Sequence, residues 1–129
     1  MNGKYVLDTN IIIYHFRGLS PWTDFINGLS PADACNTWIS VITKMELLAW
    51  DEPTPEAEWQ VRVFLNRLNI APLSLAIETE AISLRRKTRL KLPDAIIAAT
   101  AVITEAVLVT NDKAMGALNW PNLNVIIPT

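Results

Sequence analysis

The chain has one cysteine, one histidine and four glycines among 129 residues. Cys35 has no second cysteine to pair with, so no internal disulfide braces the fold, and a reducing, cytoplasmic setting is expected. The lone His15 excludes a His/Cys metal set, and a single imidazole without a second ligand reads as an ordinary helix residue. No G-x-x-x-x-G-K-[ST] occurs, so there is no phosphate-cradling loop of that type. With no G-x-S-x-G and one histidine, a nucleophilic triad has little to stand on. Long apolar runs are missing as well: half the residues are hydrophobic, yet no run approaches the about 20 residues of a membrane span. Asp8 interrupts the apolar stretch that a signal peptide would need, so no membrane role is expected. Charge of either sign is sparse, with 19% charged residues, a net charge of −2 and a pI near 5.3. Proteins that grip nucleic acid by broad phosphate neutralisation are usually basic, so any such role here requires a local basic patch, metal ions or both.

No repeat or low-complexity tract is visible. The proline-containing segments at residues 18–21, 30–31 and 51–55 are too short to divide two domains, so residues 1–129 read as one domain. Apolar runs and breakers predict a strand over 4–8 and a helix over 9–17, then a helix with Ser20 as N-cap and Pro21 in its first position. A second strand over 37–41 runs into a helix over 42–50, and a helix over 56–68 turns Trp59, Val63 and Leu68 to one face. The third strand, 70–73, is placed at an edge by Pro72. An amphipathic helix over 74–89 precedes an apolar one headed by Asp94. A strand over 106–110, a short helix from about 112 and a strand in "LNVIIP" complete the chain. Short apolar strands alternating with helices imply a parallel sheet covered on both faces, with ligands outside the carboxyl ends of the strands.

Four acids fall at that edge. Asp8 ends the first strand, Glu46 lies in the helix after the second, Asp94 heads the apolar helix and Asp112 follows "VLVT" by two residues. Each has a local explanation: Asp8 and Asp112 as helix caps, Glu46 in a capping box with Thr43, Asp94 as a partner of the helix dipole. Together they are harder to explain, because their neighbours are apolar and a core does not hold several unpaired carboxylates. A hard divalent cation is the simplest partner for such a cluster. Mg²⁺ or Mn²⁺ with oxygen ligands suits phosphodiester hydrolysis, whereas zinc would want His or Cys.

Four segments, "YVLDTNIIIY", "ISVITKMEL", "KLPDAIIAATA" and "VLVTNDKAM", in that order resemble the acidic motifs of the PIN-domain nucleases, in particular the small VapC-type (FitB-like) toxins of toxin–antitoxin systems. The resemblance spans essentially the whole chain. It implies an α/β fold, a PIN-like three-layer α/β/α sandwich around a central parallel sheet, and a Mg²⁺- or Mn²⁺-dependent endoribonuclease. Asp8, Glu46, Asp94 and Asp112 fall where the family places its metal-binding catalytic acids, and Asn10 and Thr110 where polar residues support them. It also implies a homodimer and a small antitoxin that covers the active-site groove.

Five basic residues, Arg85, Arg86, Lys87, Arg89 and Lys91, stand within seven positions just before Asp94. They read as an RNA phosphate patch or as a solvated helix face. Trp50 and Trp59 flank a proline loop and are candidate exposed anchors, or packing residues like other aromatics. Two further readings stay open. One is an aspartyl-phosphate enzyme, a phosphatase or receiver-like domain, although Asn10 stands where the haloacid-dehalogenase pattern wants a second Asp. The other is a non-catalytic RNA- or protein-binding module in which the acids are caps and pairs.

Overall fold

A computed structural model describes residues 3–49 and 54–129. Five strands, β1 (Tyr5–Leu7), β2 (Thr37–Ser40), β3 (Asn69–Ala71), β4 (Val107–Val109) and β5 (Asn124–Ile126), form one sheet in the order β3-β2-β1-β4-β5. Every adjacent pair is parallel. The expected parallel α/β architecture is therefore the observed one, with β3 at an edge.

Side chains alternate across the sheet with the period of two that strands impose. Val6, Ala71 and Leu108 face one hydrophobic cluster, joined by Trp38 and Val125. Leu7, Ile39 and Val109 face another, joined by Tyr5 and Ile70. The first face is covered by α6 (Leu75–Lys87) and α7 (Leu92–Thr104). The second is covered by α1 (Thr9–Phe16), α2 (Trp22–Asn27) and α5 (Pro55–Leu65). Helix α4 (Val41–Leu48) contributes to both clusters, with Ile42 packed in one and Leu47 buried in the other. Two short helices, α3 (Pro31–Cys35) and α8 (Lys113–Gly116), complete the fold.

Helix α7 is buried without interruption from Ala95 to Ala101, because it lies between α6 and the sheet and so has no solvent face to serve. Its alanines let neighbouring backbones approach closely, while Ile97, at 1% exposure, fills the space between them. Truncating such a side chain to alanine costs about 2–5 kcal/mol. The Asp94 end of this helix is thereby anchored by a continuously buried segment.

Three local expectations are corrected. Ser20 does not cap α2: the helix begins at Trp22 with Pro21 in the cap position and no side-chain cap. The Thr23 N–H that a capping serine would take is bonded to the Leu19 carbonyl instead. Val41 opens α4 rather than closing β2, because the Ser40 hydroxyl accepts from Ile42 N–H and starts the helix there. β3 stops at Ala71, before Pro72, rather than running on to residue 73. Trp50, one of the two candidate anchors, lies outside the described residues. No helix among the described residues is long and apolar enough to cross a membrane.

Candidate active site

From β1 the chain builds outward in two directions, first to β2 and β3 and later to β4 and β5. Between β1 and β4 that direction reverses, and the segments leaving the two carboxyl ends diverge to leave a crevice. Asp8 is the first residue after β1, and Thr110, Asn111 and Asp112 follow β4 directly. Glu46 arrives from α4 and Asp94 from the first turn of α7. The four acids, with Thr9, Asn10 and Ile13, line a single cleft of about 260 Å³.

The local roles of Asp8 and Asp112 coexist with their place in the cleft. Asp8 caps α1 through Oδ1, which accepts from Thr9 N–H at 2.8 Å, and its Oδ2 accepts from the Thr110 hydroxyl at 2.7 Å. The same hydroxyl accepts from Asp112 N–H at 3.0 Å. Asp112 Oδ1 takes both capping bonds of α8, from Ala114 N–H and Met115 N–H, at 2.9 and 3.2 Å. That leaves its second oxygen outside the cap. The capping-box explanation of Glu46 fails, because Ser40 is the cap of α4 and Thr43 is fully buried. Glu46 Oε1 instead accepts from the Thr9 hydroxyl at 2.7 Å. Asp94 stands in the first turn of α7, whose N-cap Lys91 gives no side-chain cap bond, so the carboxylate faces an uncapped helix N-terminus.

The site is electrostatically tense. Asp8 is only 6% exposed. Burial pushes its carboxyl above the ordinary range, opposed by the hydrogen bonds from Thr110 and Thr9, with Asp94 and Glu46 adding repulsion. Asp94 is raised too, by burial first and then by Asp112 and Glu46, with Lys91 partly offsetting them. The Arg62–Glu58 ion pair is on α5 and involves none of the four acids. Among the described residues, no three acidic, histidine or cysteine side chains stand close enough together to hold a metal ion. The acids surround an open cleft. An all-oxygen set, spread around a cleft with room for water, fits Mg²⁺ or Mn²⁺, which keep several waters and take only one or two carboxylates each.

Asn10 lines the cleft and is exposed. None of the five basic candidates lines it. Arg85 Nη1 donates to the Leu90 carbonyl at 2.7 Å, which ties down the turn between α6 and α7. Lys87 Nζ lies 6.0 Å from the centre of the Trp120 ring. Lys91 begins α7 and acts on Asp94 through its charge. Arg86 and Arg89 are exposed. His15 is the ordinary helix residue expected, with Nδ1 2.8 Å from the Thr23 hydroxyl and burial lowering its pKa. Trp59 is 68% exposed, whereas Trp22, Trp38 and Trp120 pack against the two cores. Sequence reasoning missed Thr9 and Thr43 as members of the site. Their signal was present as the residue after Asp8 and the residue three before Glu46, the spacing that puts two side chains on one helix face.

Fold and cleft define an α/β/α protein with an acidic site at the switch point of a parallel sheet. The PIN domain family model matches residues 5–120, and the chain belongs to the PIN-domain family. A chain of a toxin–antitoxin complex from Klebsiella pneumoniae is 32% identical, with a TM-score of 0.82 over 98% of each chain. A chain of VapBC2 from Rickettsia felis, bound to a DNA fragment from its promoter, is 26% identical, with a TM-score of 0.76 over 95% of this chain and 96% of that one. DNA-bound VapBC from Salmonella typhimurium shares the fold at 24% identity, with a TM-score of 0.76 over 96% and 97% of the two chains. Comparison with curated protein sequences finds no match. The VapC-type likeness carried by the four motifs thus extends to whole-chain structural similarity.

Proposed function

We propose that this protein is a Mg²⁺- or Mn²⁺-dependent endoribonuclease and the toxin of a VapBC-type toxin–antitoxin pair. The observation that carries this reading is the convergence of Asp8, Glu46, Asp94 and Asp112, from four separate segments, on one cleft at the sheet's switch point. When bound, a divalent ion supplies a polarised water and charge compensation for phosphodiester hydrolysis. Asp8 is the fixed ligand, locked by two hydrogen bonds and buried. Asp94 also gains from a cation, since burial and two like charges act on it. Glu46 and Asp112 close the cleft, Asn10 offers a neutral polar group at its mouth, and Thr110 holds Asp8. Arg86, Arg89 and Lys91 approach RNA phosphates outside the cleft, while Arg85 and Lys87 serve mainly the α6–α7 turn and the Trp120 contact.

The relatives that are toxin–antitoxin complexes support a small antitoxin as partner. Met45, next to Glu46, and Leu92, two residues before Asp94, are 60% and 54% exposed and offer apolar surface to such a partner. A homodimer, a single domain over residues 1–129 and a cytoplasmic setting complete the reading. The aspartyl-phosphate alternative is disfavoured because Asn10 stands two residues after Asp8, where the haloacid-dehalogenase pattern wants a second Asp.

The deciding experiment incubates purified, antitoxin-free protein with a total-RNA pool and maps the cuts. Cleavage that needs Mg²⁺ or Mn²⁺, stops with chelator and is lost in Asp94→Asn is expected. Metal-independent RNA binding without cleavage would establish the binding-module reading, and phosphate trapped on Asp8 the phosphotransfer one.

A further inference from the structure

The Thr9 hydroxyl is 2.7 Å from Glu46 Oε1 and 3.0 Å from the Thr43 hydroxyl. A hydroxyl has one proton to give, and a carboxylate can only accept. Thr9 therefore spends its proton on Glu46, and the contact with Thr43 is made by the Thr43 proton directed at Thr9. The result is a one-way chain, Thr43 to Thr9 to Glu46, that links α4 to α1 and returns to α4. Thr43 is fully buried and Thr9 is 8% exposed, whereas Glu46 is exposed. Helical side chains lean toward the helix N-terminus, so Glu46 folds back over the turn that carries Thr43, and Thr9 meets both. Thr9 also gives its backbone N–H to Asp8 Oδ1. One residue thus holds two acids that come from separate segments of the chain, Asp8 and Glu46.

An exposed glutamate ordinarily samples many rotamers, and ordering it costs side-chain entropy. We propose that the Thr43–Thr9 hydroxyl pair is a positioning relay that fixes the Glu46 carboxylate at the cleft and so sets the affinity of the site for its divalent ion. The inference rests on the metal-dependent reading of the cleft and adds to it two residues outside the acidic set. Thr9 and Thr43 touch neither metal nor substrate in this role; they act through Glu46. Hydrogen-bonded supports of this kind commonly carry roughly 10–100-fold in metal affinity.

The test uses the full chain with two readouts. The first is the χ1 averaging of Glu46 in metal-free protein, read from three-bond couplings. The second is Mn²⁺ affinity by calorimetry. The relay predicts one dominant Glu46 rotamer in the wild type and averaging in Thr9→Val. It also predicts roughly tenfold weaker Mn²⁺ binding in Thr9→Val, recovery in Thr9→Ser and a smaller loss, about two- to threefold, in Thr43→Val. With Glu46→Gln in the background, Thr9→Val should add little further loss, because the group being positioned has gone. A Glu46 rotamer indifferent to Thr9→Val overturns the relay, as does a full additive loss in the double variant, which is what general structural damage would give. A wild type that binds no Mn²⁺ overturns the metal reading and the relay's effect on affinity, while the rotamer measurement still decides whether the relay holds Glu46.

Discussion

Thr110 donates its hydroxyl proton to Asp8 at 2.7 Å although 102 residues separate them in the chain. The contact spans the gap between the carboxyl ends of β1 and β4, the two strands that pair at the centre of the sheet. Because the same oxygen accepts from Asp112 N–H, it fixes the spacing of Asp8 and the segment that carries Asp112. Thr9 does the corresponding work between Asp8 and Glu46. Two threonines therefore tie three of the four acids together, Thr110 through its hydroxyl and Thr9 through its hydroxyl and backbone N–H, and Asp94 comes to them on a buried helix.

Replacing Thr110 with valine keeps the shape but removes the donor to a buried carboxylate and the acceptor for a backbone N–H. Thr110→Val should lose about 1–3 kcal/mol of stability in urea unfolding. Its RNA cleavage rate should fall about 10–100-fold. Thr110→Ser, which restores the hydroxyl, should regain most of both. If Thr110→Val unfolds at the wild-type urea midpoint, the hydrogen bond is not holding Asp8.

Asp94→Asn should separate activity from stability. The carboxylate is pushed up by burial and by repulsion from Asp112 and Glu46, so its charge opposes folding when no cation compensates it. Removing that charge should raise the melting temperature in chelator by a few degrees. Cleavage should drop about hundredfold or more. A variant that is inactive because it is poorly folded would show the opposite shift in melting temperature.

The pH dependence follows from Asp8 in the same way. Its carboxyl is raised above the ordinary 3.8 chiefly by burial, so the folded protein holds that proton more tightly than the unfolded chain. The associated stability is fully present below the unfolded value and is lost as pH rises through the higher folded value. Asp94 has the same sign. In chelator, the melting temperature of Asp8→Asn minus that of the wild type should therefore widen as pH rises above the ordinary carboxylate range and level off once Asp8 is ionised. Saturating Mn²⁺ should stabilise the wild type preferentially and shrink the gap at neutral pH. A gap that narrows with rising pH in chelator has the wrong sign for a raised carboxyl.

Much of this arrangement was legible in the chain because three of the four acids, Asp8, Asp94 and Asp112, sit at or near the start of a helix. "YVLDTN" turns from strand to helix at Asp8, and "VLVTND" does so again before α8. What could not be read was contact between segments far apart. Thr43-x-x-Glu46 satisfies a capping pattern locally, yet Ser40 had already capped the helix, so Thr43 was left to face Thr9. Ser20 before Pro21 likewise satisfied a local rule that the Leu19 carbonyl pre-empted. Arg85 looked like its basic neighbours until the α6–α7 turn brought the Leu90 carbonyl to it. Local motifs place charges at an edge; only tertiary packing decides which of two locally satisfactory partners a side chain takes.

The basic run offers the sharpest use of that distinction. Arg85 is bonded to a backbone carbonyl inside the α6–α7 turn, so Arg85→Ala should lower the melting temperature by removing that brace. Arg86 and Arg89 are exposed, so their alanine variants should leave stability within about 0.5 kcal/mol of wild type. Their effect should show in RNA affinity, measured with the cleavage-deficient Asp94→Asn protein as background. Each phosphate contact to a single strand contributes about 0.7 to the slope of log K against log salt. Losing Arg86 or Arg89 should therefore weaken binding across RNA sequences and flatten that slope by about that amount per residue, whereas Arg85→Ala should leave the slope unchanged. Lys91 should behave differently from both, because its charge acts on Asp94: Lys91→Met should weaken RNA binding modestly in that background and, in protein that keeps Asp94, push the Asp94 carboxyl further up. Equal salt slopes for the wild-type background and an Arg86→Ala/Arg89→Ala double variant would remove this surface from the RNA path, leaving the stretch a solvated helix face.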